Sequence, residues 1–506
     1  MPKKLLKLHK MKIQIARLPI PELEFGGAGF FQDPRLGLSE AGPFDARFGS
    51  AHKSQIRVSI VGTSEGIELA SSWLRRCKSL IDPRSPEGSQ IVFPGFDAVF
   101  RSELVIHDAS NVALNEQQLE AAIGLKPYDG LEALVVVYSS AITRAKEDFR
   151  PDVVVCVVPE PIERKFWSVR RILSKSERDT LRKATASATT HQLQLPFDWD
   201  VEEHSEDLLT RDFRRALKAR AMQIGVPIQL LRNSGMVDLR TNEEPAARAW
   251  NLGVGLYYKA GGIPWRVRNR GPETCFVGIT FHHLRTTKRA LIHSALAQAF
   301  STNGGGFALR GQSFEPERDA TTRTPHLTEA QAEELGRLVV DEYTARNGEL
   351  PKRIVLHKSS RFWRQEQGGF RRAFRDVPVV QLVALAPSSV RFVTQGAYPP
   401  ARGTLVTVDE SRHFLFTSGF VPELGTYPGP HIPIPVELVV HGEAAMHDVR
   451  ECALDALGLG RLNWNTSDLR SSQPVTLGFA RRVGGIMAEY GQLTESKPDP
   501  SYRYYM

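Results

Sequence analysis

The sequence contains few cysteines and no long apolar run, and both absences exclude classes of protein. The four cysteines, Cys77, Cys156, Cys275 and Cys452, are widely spaced and form no Cys-x-x-Cys pair. This spacing excludes a disulfide framework and a cysteine-based zinc site, and it is typical of a reducing compartment. No stretch of about 20 apolar residues occurs, and no apolar signal-peptide segment follows the lysine-rich residues 1–12. We therefore expect a cytoplasmic protein without a membrane partner.

Several catalytic motifs are also absent. The sequence has no Gly-x-x-x-x-Gly-Lys-Ser/Thr phosphate loop and no Gly-x-Ser-x-Gly nucleophile elbow. The glycine run Asn303–Gly306 is not followed by the lysine of a phosphate loop, so we predict a turn there. His282, His283, His431 and His441 lack metal-ligand spacing. These absences argue against a P-loop nucleotidase, an α/β-hydrolase and a histidine metal site.

The length and the charge set broad limits on the protein. A chain of 506 residues is long enough for two to four domains of roughly 100–200 residues each. The net charge is +8 at pH 7, from 65 Lys and Arg against 57 Asp and Glu, and the isoelectric point is about 9.2. A mild basic excess is a weak indication of a polyanionic partner.

Strand and helix patterns alternate along the chain, which predicts an α/β fold class. Apolar and alternating runs predict strands at Ile56–Val61, Leu134–Tyr138, Val153–Val158, Ile354–His357 and Val379–Leu385. Helical periodicity predicts helices at Thr287–Phe300, from Thr328 to Gly348, and at Val475–Glu489. Thr328 and Gln331 form a capping-box pattern, and Pro474 stands where the first residue of the last helix is expected.

One boundary divides these patterns into two halves. A helix ending near Lys259 meets the turn Gly261–Pro264, and a second α/β pattern begins at Cys275. We therefore predict two lobes, residues 1–260, including the N-terminal strands, and residues 261–506.

A basic helix is predicted at Thr210–Met222. Phe213, Leu217 and Ala221 recur every four residues and predict its buried stripe. Basic side chains occupy the other side: Arg211, Arg214, Arg215 and Lys218. Taken alone, such a helix is most simply a solvated basic face, and Arg214 and Lys218, four residues apart, repel each other.

Two further polar residues favour an anion site at this helix. Gly225 predicts a turn, and the short strand after it carries Gln229, while Lys259 lies thirty residues further on, at the end of an apolar helix. Two lysines and an amide that converge on one point could hold a phosphate monoester, with two point charges and a neutral donor.

This set of residues resembles the guide-binding MID domain of the short prokaryotic Argonautes. The family holds the 5′-phosphate of a guide strand with a Lys, Gln and Lys series, which Lys218, Gln229 and Lys259 match in spacing. Arg214 stands where the family usually has His or Tyr, a departure that affects base stacking more than phosphate binding. The segments Asp33–Asp45 and Tyr258–Trp265 also resemble the family. The resemblance implies a Rossmann-like MID lobe followed by an RNase H-like PIWI lobe.

The resemblance implies that the PIWI lobe is catalytically inactive. Cutting Argonautes hold two divalent metals with carboxylates, because Mg²⁺ needs charged oxygen ligands in fixed geometry. The corresponding positions here are Thr280, Ser359 and Asn465 (or Asn463), with Asp468 slightly displaced. We therefore expect no two-metal catalytic site. A different alignment, in which Asp341, Glu342 or Asp409 supplies the site, remains the alternative.

Basic residues of the second half are candidates for a guide–target channel, because cations can neutralise a duplex without reading its sequence. The candidates are Arg268, Arg270, Lys288, Arg310, Lys358, Arg361, Arg481 and Arg482. The resemblance also implies that the carboxylate of Met506 lies between the lobes and helps to hold a Mg²⁺ ion at the guide phosphate.

The resemblance implies a function that depends on partners. The expected partners are a guide RNA, a single-stranded target DNA, and a separate APAZ-domain effector of the Sir2, TIR or nuclease type. Target recognition would activate the effector in defence against plasmids or phage. Two alternatives stay open: a guided endonuclease with an atypical metal site, and a nucleic-acid-binding scaffold that uses no guide.

Overall fold

A computed structural model describes most of the chain. It covers residues 13–27, 29–84, 92–172, 208–236, 244–268, 271–286, 289–301, 306–314, 317–318, 325–393, 399–409, 411–422, 425–427, 432–442, 445–467, 473–493 and 499–506. No helix in these ranges is long and apolar enough to cross a membrane.

The strands are numbered in chain order. In the first half they are β1 Gln14–Arg17, β2 Leu23–Glu24, β3 Phe30–Phe31, β4 Gln55–Gly62, β5 Glu103–Ile106, β6 Val112–Ala113, β7 Val153–Val158, β8 Val169–Ile172, β9 Leu208–Arg211 and β10 Ile228–Arg232. In the second half they are β11 Arg266–Val267, β12 Thr274–Thr286, β13 Arg289–Ser301, β14 Gly306–Phe314, β15 Glu317–Arg318, β16 Pro325–His326, β17 Arg353–Lys358, β18 Val379–Pro387, β19 Thr404–Asp409, β20 Arg412–Leu415 and β21 Val436–His441.

The helices follow the same convention. Those before residue 260 are α1 Pro34–Ala41, α2 Ser64–Arg76, α3 Phe96–Phe100, α4 Glu116–Gly124, α5 Pro127–Phe149, α6 Glu160–Phe166, α7 Phe213–Ile224, α8 Asn233–Met236 and α9 Pro245–Lys259. Those after it are α10 Glu329–Asn347, α11 Arg364–Ala373, α12 Ala445–Leu459, α13 Val475–Gly478 and α14 Ala480–Leu493. Short 3₁₀ helices occupy Phe44–Ala51, Asp108–Ser110 and Tyr502–Tyr504.

The first lobe is built on a five-stranded parallel sheet. Its strand order is β10-β7-β4-β5, with β6 paired to β4. Every residue of β7 is buried, because helices cover both of its faces, as parallel sheets require. Val154 packs with α5 and α7, whereas Val155 packs with α2 and α9.

The second lobe is built on a nine-stranded mixed sheet. Its order is β1-β19-β20-β21-β18-β17-β12-β13-β14, and β12, β17 and β18 are parallel. Alternate residues of β12 face opposite sides: Val277 packs with α10 and α11, and Phe276 packs with α12 and α14. Together with the first sheet, this arrangement confirms the predicted α/β class with two lobes.

The N-terminal strands pair with strands of the second half. β1 pairs with β19, and β2 lies between β3 and β11. The predicted limits 1–260 and 261–506 place these strands with the first lobe, and that division stays a prediction.

Many predicted elements are confirmed. Val153–Val158 is β7 without any change of bounds, and the predicted strands near residues 56, 354 and 379 are β4, β17 and β18. The capping box of α10 is present, with Gly348 in the left-handed conformation at its end. Helix α9 ends at Lys259 as expected.

The strand predicted at Leu134–Tyr138 is wrong, because these residues lie inside α5. The helix buries Leu131, Leu134, Val135 and Tyr138 at helical spacing and exposes Val136. A five-residue apolar run cannot distinguish a buried strand from a buried helix, and the longer periodicity decides the outcome.

The helix predicted at Thr287–Phe300 is also wrong. Residues 289–301 form β13, which pairs antiparallel with β12 along most of its length and with β14 on its other side. Alanine-rich composition favours a helix, but the ladder to two neighbouring strands overrides that local preference.

The last predicted helix is divided in two. Pro474 is the N-cap of α13 rather than its first residue, and Phe479 separates α13 from α14. Gly478 directly precedes the interruption, and glycine is a poor helix former.

Candidate functional site

Helix α7 carries the predicted basic residues. Its N-cap, Asp212, accepts a 2.8 Å hydrogen bond from the backbone nitrogen of Arg215, and Gly225 ends the helix at φ 82°. Phe213, Leu217 and Ala221 are buried, as the periodicity predicts. Arg214 and Lys218 therefore lie one turn apart on α7.

The three predicted phosphate-binding residues converge. Lys259 Nζ donates to Gln229 Oε1, which joins the end of α9 to β10. Lys218 Nζ donates to a main-chain oxygen of Met506. Lys218 and Lys259 are only 2% and 3% exposed. Arg214 and Lys259 act electrostatically on Lys218, so the structure brings these residues together. We call Arg214, Lys218, Gln229 and Lys259 the cationic cluster; its role and its ligand stay predictions.

The charges of the cluster repel one another. Burial, followed by the charges of Arg214, Lys259 and Arg482, lowers the pKa of the Lys218 ammonium, while Asp212 acts in the opposite direction. Burial and Arg214 lower the pKa of Lys259 to about 7. Buried ammonium groups are costly without an opposite charge. A dianion bound here would restore the ordinary protonation of both lysines.

Arg482 extends the cluster from the second lobe. It is exposed on α14, and its positive charge lowers the pKa of both Arg214 and Lys218. From sequence, Arg482 was grouped with the channel candidates, because 264 positions separate it from Lys218 and no local pattern links them.

Arg211 does not belong to the basic helix face. It ends β9, is 4% exposed, and donates to Glu489 of α14 at 2.6 Å. It also contacts Glu132 of α5 and lies 5.5 Å from the ring centroid of Tyr128. Arg211 therefore ties the first lobe to α14, and its charge is already compensated.

Lys358 was wrongly predicted to face nucleic acid. It is 1% exposed, and its Nζ lies 2.6 and 2.7 Å from the carboxylate oxygens of Glu366, which is also 1% exposed. The same carboxylate accepts from the backbone nitrogens of Leu327 and Trp363. Lys358 therefore belongs to a buried ion pair within the second lobe.

The other channel candidates differ in their environments. Arg268 pairs with Glu22 at 2.7 Å and lies 3.9 Å from the ring centroid of Phe30, and Arg361 pairs with Glu437 at 3.0 Å. These two arginines are partly exposed on the second half of the chain. The remaining candidates lie outside the described residues or side chains: Arg270, Lys288, Arg310 and Arg481.

Two of the three positions that the resemblance aligns with catalytic acids, Thr280 and Ser359, follow paired residues of neighbouring strands. Ile279 pairs with Lys358 in the parallel register of β12 and β17; Thr280 follows within β12, and Ser359 comes directly after the end of β17. Asn465 lies in a segment that packs on α9: the rings of Trp464 and Tyr258 are 4.5 Å apart, and Ser467 bonds to Asn251.

Two of the three alternative acidic residues pair with arginines, and the third, Asp341, is exposed on α10. Glu342 pairs with Arg346 on α10, and Asp409 pairs with Arg412 beside a strand turn; Asp468 lies outside the described residues. In the part of the chain that the structure describes, no three His, Cys, Asp or Glu side chains gather as a metal site.

The expected Mg²⁺ ion at the phosphate fits the described cluster poorly. Hard divalent cations prefer several oxygen ligands, especially carboxylates. Here the Gln229 and Met506 oxygens each accept from a lysine, and Arg214, Lys218 and Lys259 surround them with positive charge. The described side chains of the cluster therefore offer positive charge for an anion rather than free oxygen ligands for a divalent cation.

Comparisons with known proteins define the fold. No protein-family model matches the chain, and no curated protein matches its sequence. Among solved structures, Clostridium butyricum Argonaute bound to a guide DNA and a 19-mer target DNA matches with a TM-score of 0.62 and 14% identity, over 95% of this chain and 54% of that chain. Aa-Ago with externally bound siRNA matches with a TM-score of 0.56 and 16% identity, over 97% of this chain and 56% of that one.

These likenesses place the two-lobed α/β chain among proteins with the Argonaute architecture. The chain has an Argonaute fold, and it spans about half the length of the two Argonautes that it matches. The predicted fold, with a MID-like and a PIWI-like lobe, is thereby supported along nearly the whole chain.

Proposed function

We propose that this chain binds a short 5′-phosphorylated guide, an RNA, and pairs it with a complementary single-stranded DNA target. The observation that carries the proposal is the convergence of Lys218, Gln229 and Lys259 beside Arg214. A terminal phosphate carries charge opposite to that of Arg214, Lys218 and Lys259. The guide and target DNA of the Clostridium butyricum Argonaute structure add support from a protein of the same fold.

We also propose that the chain does not cut the target. Two-metal hydrolysis needs carboxylates, whereas Thr280 of β12 and Ser359, directly after β17, carry hydroxyls. A neutral hydroxyl cannot replace the charge of an aspartate. On this proposal the chain is a recognition subunit, with no enzymatic activity of its own.

The downstream step is assigned to a partner. We propose that target pairing activates an APAZ-domain effector of the Sir2, TIR or nuclease type, in cytoplasmic defence against plasmids or phage. This assignment rests on the resemblance of the sequence motifs to the short Argonautes. Co-purification from the native host, with sequencing of the bound nucleic acid, tests it.

The guide proposal predicts strong preference for a 5′-phosphate. An 18-nucleotide RNA with a 5′-phosphate should bind at least about tenfold more tightly than the same RNA with a 5′-hydroxyl, because charge-assisted hydrogen bonds are strong. Fluorescence anisotropy at fixed salt measures both dissociation constants. Equal affinities would refute guide anchoring and favour a guide-independent scaffold.

The chain loaded with this RNA also tests the proposal that the protein does not cut its target. Labelled complementary DNA, incubated with the loaded chain and Mg²⁺ or Mn²⁺, should remain intact. Cleavage at one position relative to the guide would show instead a guided endonuclease with an atypical metal site.

The preference for phosphate should depend on pH. Lys259 has a pKa of about 7 in the free protein, and a bound phosphate raises it, so binding takes up a proton above that pH. The affinity should therefore fall above pH 7, by up to about tenfold per unit. Below about pH 6 the phosphate itself loses its second charge. Preference should peak at roughly pH 6–7.

A titration from pH 5.5 to 8.5 at constant ionic strength checks this profile, with the 5′-hydroxyl RNA as reference. Lys259→Arg serves as control, because a guanidinium stays charged throughout. In that variant the decline above pH 7 should become shallower, because Lys218 is then the only lysine of the cluster with a lowered pKa. If the ratio of the two dissociation constants in the wild type does not change between pH 5.5 and 8.5, Lys259 does not contact the phosphate.

A further inference from the structure

Helix α11 carries arginines on the side that faces away from the protein. Arg364 and Arg371 are separated by two helical turns and therefore lie on one side of the helix, and Arg375 continues the row one turn later. All three side chains are exposed. The opposite side of α11 buries Glu366 and Phe370. We call Arg364, Arg371 and Arg375 the arginine row.

Ion pairs neutralise little of the charge of the arginine row. Within the described part of the chain, Arg364 and Arg371 have no acidic partner. Arg375 lies 3.4 Å from Asp376, but the two side chains are 80% and 71% exposed, so water screens this pair. The acidic residues of the neighbouring elements pair with other arginines: Glu329 and Glu333 with Arg372, and Glu437 with Arg361.

Helix stability explains only part of the row. Arg371 lies in the last turn of α11, where the helix dipole favours a cation. Arg364 is the first residue of the helix, where the same dipole opposes a cation. An exposed arginine that the helix disfavours and that has no acidic partner indicates an anionic ligand from outside the chain.

The arginine row is far from the cationic cluster in the fold. Helices α10 and α11 pack on the face of the nine-stranded sheet that carries Val277, whereas α12 and α14 pack on the opposite face, which carries Phe276. Helix α14 holds Arg482, which acts on the cationic cluster. The arginine row points away from the sheet on the other side, so it is a separate surface.

The spacing of the row matches a regular polyanion. A rise of about 1.5 Å per residue sets Arg364 and Arg371 about 10 Å apart along the helix axis. Arg375 continues the row about 6 Å further, because a backbone hydrogen bond from Phe374 to Phe370 extends the last turn. The whole row is as long as about five successive phosphates of one strand of duplex DNA, at roughly 3.4 Å each along the axis.

The surroundings of the row favour a duplex over a single strand. Proteins that bind single strands without sequence preference combine cations with aromatic side chains on which the bases stack. Here Phe362, Phe370 and Phe374 are at most 4% exposed, and the ring of Trp363 stacks on His326 at 4.1 Å. The row thus offers charge without a stacking surface, which suits a nucleic acid whose bases are already paired.

We propose that the arginine row binds the sugar–phosphate backbone of double-stranded DNA, independently of its sequence and of any guide. Each guanidinium neutralises a phosphate and releases the counterions condensed on the DNA. This surface goes beyond the proposed function, because it needs neither a terminal phosphate nor a complementary strand. It gives the chain a second contact with DNA, on the outer side of the second lobe.

The experiment measures the salt dependence of duplex binding. A labelled DNA duplex of about 24 base pairs with 5′-hydroxyl ends is titrated with the full chain, without guide, by fluorescence anisotropy between about 50 and 200 mM KCl. Replacement of Arg364, Arg371 and Arg375 together by glutamine should reduce the slope of log K against log salt by about 2–3. The affinity at 100 mM KCl should fall by about tenfold or more. Replacement of the three by lysine should preserve most of the slope, because an ammonium also neutralises a phosphate.

A matched control removes three arginine charges elsewhere. Arg75, Arg164 and Arg337 are 51%, 75% and 66% exposed, and each pairs with a carboxylate. Their replacement by glutamine lowers the net charge by the same amount and should change the slope by less than about one. Circular dichroism checks that both glutamine variants fold, and all six substituted side chains are exposed.

The outcomes separate this surface from the guide site. If the glutamine variant of the row keeps the wild-type slope, or loses no more than the control, the arginine row does not bind duplex DNA. If a single strand of the same length loses more affinity than the duplex, the assignment to double-stranded DNA is wrong. The preference for a 5′-phosphate RNA over a 5′-hydroxyl RNA should be the same in this variant as in the wild type, and loss of that preference in the wild type would overturn only the proposed function.

Discussion

Replacement of Lys218 and Lys259 together by methionine should weaken the binding of a 5′-phosphorylated RNA by at least about a hundredfold. Each lysine in the buried cluster would make a charge-assisted hydrogen bond to the phosphate, and such bonds contribute roughly 1.5–3 kcal/mol. The affinity for a 5′-hydroxyl RNA should change little, because it gives the cluster no charge to bind. Anisotropy titrations of the two RNAs measure the effect.

The same variant should be more stable than the wild type without ligand. Methionine fills a similar space and carries no charge to bury. In the wild type, the folded-state pKa of Lys259 is about 7, below its ordinary 10.5, so the unfolded chain binds more protons in that interval. Wild-type stability should therefore rise as the pH increases from 7 to 10, and the variant should show less of this rise in thermal denaturation.

A matched control removes two charges elsewhere. Lys126 and Lys352 are exposed, and their replacement by methionine should weaken both RNAs equally, through the general salt-dependent attraction alone. If the Lys218 and Lys259 variant behaves like this control, with the preference for phosphate preserved, the cationic cluster is not the phosphate site.

Truncation of Glu366 to alanine should destabilise the protein by about 3–5 kcal/mol. The substitution leaves the ammonium of Lys358 buried without its counterion, and it removes the acceptor of the Leu327 and Trp363 backbone nitrogens. The loss of one partner from a buried ion pair costs far more than the loss of an exposed one. Urea denaturation monitored by circular dichroism measures the change.

A compensating variant separates charge from packing. Lys358→Met combined with Glu366→Gln removes both charges and keeps an acceptor at position 366, so most of the lost stability should return. Glu333→Ala, which removes an exposed partner of Arg337 and Arg372, should have a far smaller effect. A Glu366→Ala midpoint close to the wild-type midpoint would show that this ion pair is not buried in solution.

Local sequence signals predicted the elements that hold the cluster. The period of α7, the turn at Gly225 and the apolar helix ending at Lys259 each depend on a few neighbouring residues. The convergence of Lys218, Gln229 and Lys259 required more than these signals, and it came from the family spacing. The three residues lie on α7, β10 and α9, and the packing of these two helices with the parallel sheet brings the side chains close to one another.

The failures have two physical causes. Leu134–Tyr138 is apolar enough for either a strand or a helix, and β13 is a strand because β12 and β14 flank it. Lys358 looks like a surface cation until Glu366, eight residues later, folds beneath it. The outcomes for β13 and Lys358 depend on tertiary contacts, whereas Leu134–Tyr138 needed a longer window than five residues.

The contribution of α14 to the cluster has a consequence for biosynthesis. Arg482 acts on Lys218 and Arg214, and Glu489 anchors Arg211 directly before the helix that carries them. A ribosome completes residues 1–260 long before it reaches residue 480, and N-terminal domains generally fold first. The nascent first lobe therefore lacks the Arg482 charge and the Glu489 anchor, and the proposed binding of a strand at full strength would have to wait until translation is nearly over.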